Sequence, residues 1–117
     1  MKVFHSMPLR GLTEEQISKN RVWQHKAIEN IVKSFFKQDC EILPTLINYA
    51  PGTAGPLWYF GEGIKTWLSQ ADLLCLAPDW REARGCRAEQ FVAKEYGIPC
   101  IQLNSELSFD WISNKGE

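Results

Sequence analysis

Asp72-Leu73-Leu74-Cys75-Leu76-Ala77 is an unbroken apolar run behind one acid, and its reading decides the fold. A strand with one wet face alternates polar and apolar residues; a strand without polar residues needs cover on both faces, as the centre of a parallel sheet provides. Asp72, at the mouth of the run, is expected to anchor neighbouring loops. Outward from this strand the chain supplies partners. Lys2 to Ser6 reads as a first strand and Ile98 to Leu103 as a fourth. Glu41 to Ile47 reads as a second, which Pro44 restricts to a short or edge position.

Helical patterns separate these strands. Thr13-Glu14-Glu15-Gln16 has capping-box form, and Ile17, Gln24, Ile28, Ile31 and Phe35 recur at helical spacing. One long amphipathic helix ending near Lys37 follows. Leu57 to Ser69 reads as a second helix, weakened by Gly61 and Gly63, with Trp67 in the core. Cys86 to Tyr96 reads as a third, with Phe91, Val92 and Tyr96 facing inward and Gly97 as its stop. A short terminal helix is expected around Phe109, Trp111 and Ile112. The alternation predicts an α/β fold with right-handed crossovers: a single doubly wound, parallel sheet of about four strands, flavodoxin- or Rossmann-like, in one domain spanning 1–117.

Composition narrows the function classes. The 117 residues are 44% hydrophobic and 23% charged, ordinary for a globular domain. A net charge of -1 gives no field for long nucleic acid or an acidic membrane surface, so a polar ligand must be held by local groups. No apolar run reaches the roughly eighteen residues of a membrane span, and the start lacks signal-peptide form. Cys40, Cys75, Cys86 and Cys100 lack CxxC spacing, and neither His5 nor His25 stands at a zinc-motif distance from them. Cys75 and Cys100, inside apolar runs, read as buried free thiols, and a reducing cytoplasm, no metal and no cofactor are expected. His5, alternating with apolar neighbours, reads as a structural histidine.

In open α/β sheets ligands bind beyond the carboxyl ends of the strands, where the strand order reverses. Two loops fall there. The first, Ser6 to Leu12, offers Ser6, Met7, Arg10 and Gly11 ahead of a helix N-terminus at Thr13, a reasonable anion cradle. The same residues also suit a strand cap and a solvated charge. Neither GxxxxGK[ST] nor GxGxxG is present. The second, Pro78 to Gly85, brings Asp79, Glu82, Arg84, Gly85 and Arg87 to Glu89, expected on the first turn of the third helix. The positive end of that helix would favour an ionised carboxylate, able to attack an anomeric carbon. The plainer role for Glu89 is to complement the helix dipole or pair with Arg87. Gly85 would let the backbone approach a sugar closely. Trp58 and Tyr59 could stack on a base, or pack in the core or at a subunit interface.

His5-Ser6-Met7-Pro8-Leu9-Arg10-Gly11, Trp67 to Leu73 and Gly85-Cys86-Arg87-Ala88-Glu89 together resemble the nucleoside 2-deoxyribosyltransferase-like superfamily. The chain looks closest to the small family DUF4406, common in phages and bacteria. The resemblance runs from the first strand to Leu103. It implies that Glu89 attacks C1′ of a deoxyribose, with Gly85 four residues before it. It further implies that Ser6, Arg10 and Gly11 hold a 5′-phosphate, as in deoxynucleoside-monophosphate N-hydrolases. The partners implied are a small-molecule nucleotide or nucleoside and further copies of the chain, as a dimer or larger homo-oligomer. The chain departs from the pattern at the second acid: Ala83 and Arg84 stand where the transferases carry one, and Ile64 where the hydrolases do. The serine usual near the catalytic glycine is also missing. Glu62, Asp79 and Glu82 are the available substitutes. A non-catalytic nucleotide binder and a pure interaction module, drawing on five tryptophans and the Trp111 tail, are the other expectations.

Overall fold

The computed structural model describes residues 1–45 and 49–113. The elements run β1 (Lys2–Ser6), α1 (Glu14–Ser34), β2 (Glu41–Ile42), α2 (Pro56–Thr66), β3 (Leu73–Leu76), α3 (Arg84–Glu95), β4 (Cys100–Leu103) and β5 (Phe109–Ser113). Short 3-10 turns at Leu68–Gln70 and Trp80–Glu82 flank β3. One mixed sheet of five strands results, ordered β2-β1-β3-β4-β5. The first four strands are parallel, and β5 returns antiparallel against β4.

The apolar run from Leu73 to Leu76 is buried at every position and lies mid-sheet. Alternate side chains serve two cores. Val3, Leu73, Cys75, Ile101 and Leu103 pack with Ala27, Ile28, Ile31 and Val32 of α1 on one face. Phe4, Leu74, Leu76 and Cys100 pack with Leu68, Trp80, Cys86 and Ala93 on the other. Asp72, expected to anchor loops, holds the start of β1: the Lys2 amide donates to Asp72 Oδ2 at 2.8 Å.

Thr13 caps α1 in both senses of the box, its hydroxyl accepting from the Gln16 amide while the Gln16 side chain accepts from the Thr13 amide. β2 is an edge strand of two residues, shorter than 41–47; residues 46 and 47 of that span lie outside the described residues. α2 ends at Thr66, before the expected Ser69.

Two expectations are overturned outright. The tail forms β5, not a helix, because Phe109 and Trp111 alternate with Asp110, a period-2 pattern that suits an edge strand. Phe109 packs towards the α1 core and Ile112 towards the other, across a register irregularity beside Cys100 and Ile101. The sheet therefore has five strands and is mixed. In α3, Phe91 and Tyr96 point outward, 63% and 82% exposed, while Cys86 and Ala93 are buried and Val92 is partly so. The inward stripe runs through Cys86 and Ala93 instead, and the helix begins at Arg84.

Candidate active site

β1 and β3 lie side by side, with Ser6 paired to Leu76, so the loops that follow them leave the sheet at one point. A cavity of about 1340 Å3 opens there. Its walls come from the first loop, α1, the second loop and the start of α3, the segment after β2 and one face of α2.

The two loops meet through one short contact. Ser6 Oγ donates to Glu89 Oε1 at 2.7 Å across 83 residues of chain. Ser6 is 2% exposed, and the Glu89 side chain sits low in the cavity wall with only part of its surface open. Burial pushes the Glu89 carboxyl up to about 7, against the Ser6 hydrogen bond, which favours the charged form. This reverses the expectation of a carboxylate kept ionised by a helix terminus. Glu89 is the sixth residue of α3, past its first turn, where the dipole has faded and desolvation dominates. The Ser6 hydroxyl is correspondingly engaged with Glu89 and orients it.

The two helix starts beside these loops differ. The α1 N-terminus is closed by the Thr13–Gln16 box, leaving less of it open to a ligand. α3, in contrast, starts from Ala83 with no side-chain cap, and Ala83, Arg84, Gly85 and Cys86 all line the cavity. Its uncapped first turn therefore borders the site. A Cβ on Gly85 would meet no protein atom within 4 Å, so packing does not demand glycine there. Gly11 is different: with φ of 83° it serves the Leu9–Leu12 turn, closed by a 3.3 Å bond, and does not line the cavity.

Met7 and Arg10 of the first loop, Asp79 of the second, and Arg84 and Arg87 of α3 line the cavity. Arg87 Nη1 also donates to the Arg81 carbonyl at 2.7 Å. The second loop is braced from behind: Trp80 Nε1 and Arg81 Nη1 both donate to Gln102 Oε1 at 2.9 Å, and Gln102 continues through Asn104 to Asp110 on β5. Tyr59 of α2 reaches the cavity, whereas Trp58 packs edge-on against Tyr59 and Tyr49 outside it. Of the available substitutes for the second acid, Asp79 and Glu82 line the cavity. Glu62 is used elsewhere, accepting from the Tyr49 hydroxyl at 2.8 Å and pairing with Lys65 at 3.6 Å.

Sequence reasoning missed the α1 wall. Arg21 and His25, one turn apart, line the cavity. The His25 ring meets the His5 ring edge-on at 5.0 Å, and His5 Nε2 bonds Gln24 Oε1 at 2.7 Å. Burial pushes His5 down to about 4, so it stays neutral as a structural histidine would. The Arg21/His25 pair was visible as a polar i,i+4 stripe, but i,i+4 polarity alone also describes any solvated helix face. Cys86 lines the cavity, and burial pushes its thiol up to about 11, which disfavours the thiolate. Among the described residues no three His, Cys, Asp or Glu side chains are grouped to hold a metal, all four cysteines are free, and no helix is long and apolar enough to cross a membrane.

Set against known proteins, the chain matches no family model, no curated protein and no solved structure.

Proposed function

We propose that the chain is a nucleotide N-glycosidase or deoxyribosyltransferase, acting on the N-glycosidic bond of a deoxynucleoside monophosphate. The Ser6–Glu89 hydrogen bond carries this reading, because it joins two loops from adjacent strand ends into one oriented carboxylate at a cavity wall. In its ionised form Glu89 forms a bond to C1′ while the C1′–N bond breaks, and the base leaves with the electron pair. Asp79 or Glu82, both on the cavity wall, delivers a proton to the departing base. Water or an acceptor base then displaces the glycosyl ester and restores Glu89. The uncapped start of α3, with Arg10 and Arg84, holds the 5′-phosphate; Tyr59 stacks on the base.

The sheet order β2-β1-β3-β4, with a core on each face, agrees with a doubly wound fold of the nucleoside 2-deoxyribosyltransferase-like kind and with the DUF4406 resemblance. A cytoplasmic homo-oligomer completes the proposal. It is supported by the four free cysteines and by α2, which has no buried residue and leaves Leu57 81% exposed.

Incubation with a panel of deoxynucleoside 5′-monophosphates, followed by chromatography, tests the reaction. Free base should form with the intact chain and disappear with Glu89→Gln. Release that continued undiminished in Glu89→Ala would overturn it. A second reading, a non-catalytic nucleotide binder, is favoured by the burial of Glu89, which pushes its carboxyl up to about 7 and so towards the protonated, non-nucleophilic form. Saturable nucleotide binding without base release would select it.

A further inference from the structure

The cavity is chemically biased in a way that one phosphate does not explain. Four of the five arginines, Arg10, Arg21, Arg84 and Arg87, line it, and no lysine among the described residues does. None of these four is in an ion pair among the described residues. Arginine's planar fork matches phosphate oxygens in a way that lysine's point charge does not, so selective enrichment of arginine marks anion recognition.

The arginines also lie on different sides of β1. Phe4 and Ser6 share the face occupied by α3, while Val3 and His5 share the face occupied by α1. The cavity passes over the carboxyl end of β1 and takes in both. On the α3 side stand Glu89, Arg84 and Arg87. On the α1 side stand Arg21 and His25, with His25 braced by the His5 ring and His5 fixed by Gln24. Arg10, on the loop between β1 and α1, belongs to the proposed phosphate site.

Resting on the proposed function, we infer that Arg21 and His25 form a second anion subsite, and that the natural ligand is a nucleotide with two separately held phosphoryl groups. The first is held at the start of α3 with Arg10. The second crosses the end of β1 to the α1 wall, where Arg21 offers its guanidinium fork and His25 a ring N–H. A cavity of about 1340 Å3 accommodates the larger ligand, being more than the roughly 300–1,000 Å3 usual for small molecules. His5 positions His25 and does not itself meet the ligand.

Calorimetric titration of the intact chain with deoxyadenosine 5′-monophosphate, 5′-diphosphate and 3′,5′-bisphosphate, and with the same series on the other bases, provides the test. At least one doubly phosphorylated member should bind about tenfold or more tightly than its monophosphate, as expected of one added charged hydrogen-bonded group. Arg21→Ala should erase that advantage and leave monophosphate affinity within about twofold; Arg21 is exposed on α1, so its removal spares the core. His25→Gln should reduce the advantage, and the His25 ring should titrate at higher pH in the doubly phosphorylated complex only. Monophosphate binding with no advantage for the second phosphate, or an advantage that survives Arg21→Ala, overturns the subsite and leaves the glycosidase reading standing. Failure of every nucleotide to bind overturns both.

Discussion

Glu89 and Ser6 form a two-residue unit whose chemistry is set by where it is buried. The Ser6 hydroxyl favours the charged carboxylate, so its loss moves the carboxyl in a defined direction. Ser6→Ala should raise the Glu89 pKa above about 7, seen by carbon-detected NMR titration of the side chain. If Glu89 is the nucleophile, the pH at which base release reaches half its maximum should rise with it. Burial also makes ionised Glu89 a liability to the fold. Because its value rises from 4.5 to about 7 on folding, stability is fully present below pH 4.5 and is lost as pH climbs through 7. Glu89→Gln should therefore be more stable than the parent above pH 7, by at most roughly 3 kcal/mol, with the gain vanishing below pH 4.5 in urea melts. The sequence placed Glu89 beside the right loop through its spacing from Gly85. It could not foretell the protonation state, because that depends on how deeply the fold buries Glu89 and on a hydrogen bond from a residue as remote in sequence as Ser6.

At the scale of elements, the two helices that flank β1 begin differently. Thr13 closes α1 with its own side chain, and a Ser/Thr-x-x-Glu/Gln pattern is readable directly, so this start was legible. Thr13→Ala should cost about 1 kcal/mol and leave ligand affinity unchanged. α3 begins at Ala83 with no side-chain cap. Ala83→Asp should add about 1 kcal/mol of stability by capping it, yet weaken any phosphorylated ligand by placing a carboxylate where the phosphate is expected. Thermal melts and titration of the same variant check both signs at once. This start was illegible because Arg84-Gly85 reads as loop, glycine being a poor helix former, and tertiary packing of Cys86 overrode propensity. β5 stands where a short terminal helix was expected: Phe109, Asp110 and Trp111 alternate as an edge strand does, and pairing with β4 fixes them as one.

For the whole molecule, the central strand carried most of the fold. Four apolar residues in a row forced cover on both faces, and the parallel core followed from that requirement. The fifth strand and the α1 wall did not follow, since an edge strand and a half-wet helix face are constrained by only one neighbour. Two groups on either side of β1 also give the molecule opposed pH responses. His5 falls from 6.5 to about 4 on folding, so its contribution is full above pH 6.5 and is lost as pH falls through 4. Glu89 works in the reverse sense between 4.5 and about 7. From these two groups, stability should be nearly flat from about pH 4.5 to 6.5 in the parent, and should rise with pH over that range in Glu89→Gln.

α2 forms a cavity wall while burying none of its residues completely. A wall so lightly anchored opens locally without unfolding the sheet, so its amide hydrogens should exchange with deuterium well before those of α1. A ligand wedged against Tyr59 would close that route, and α2 would become the segment whose exchange slows most when the site is filled.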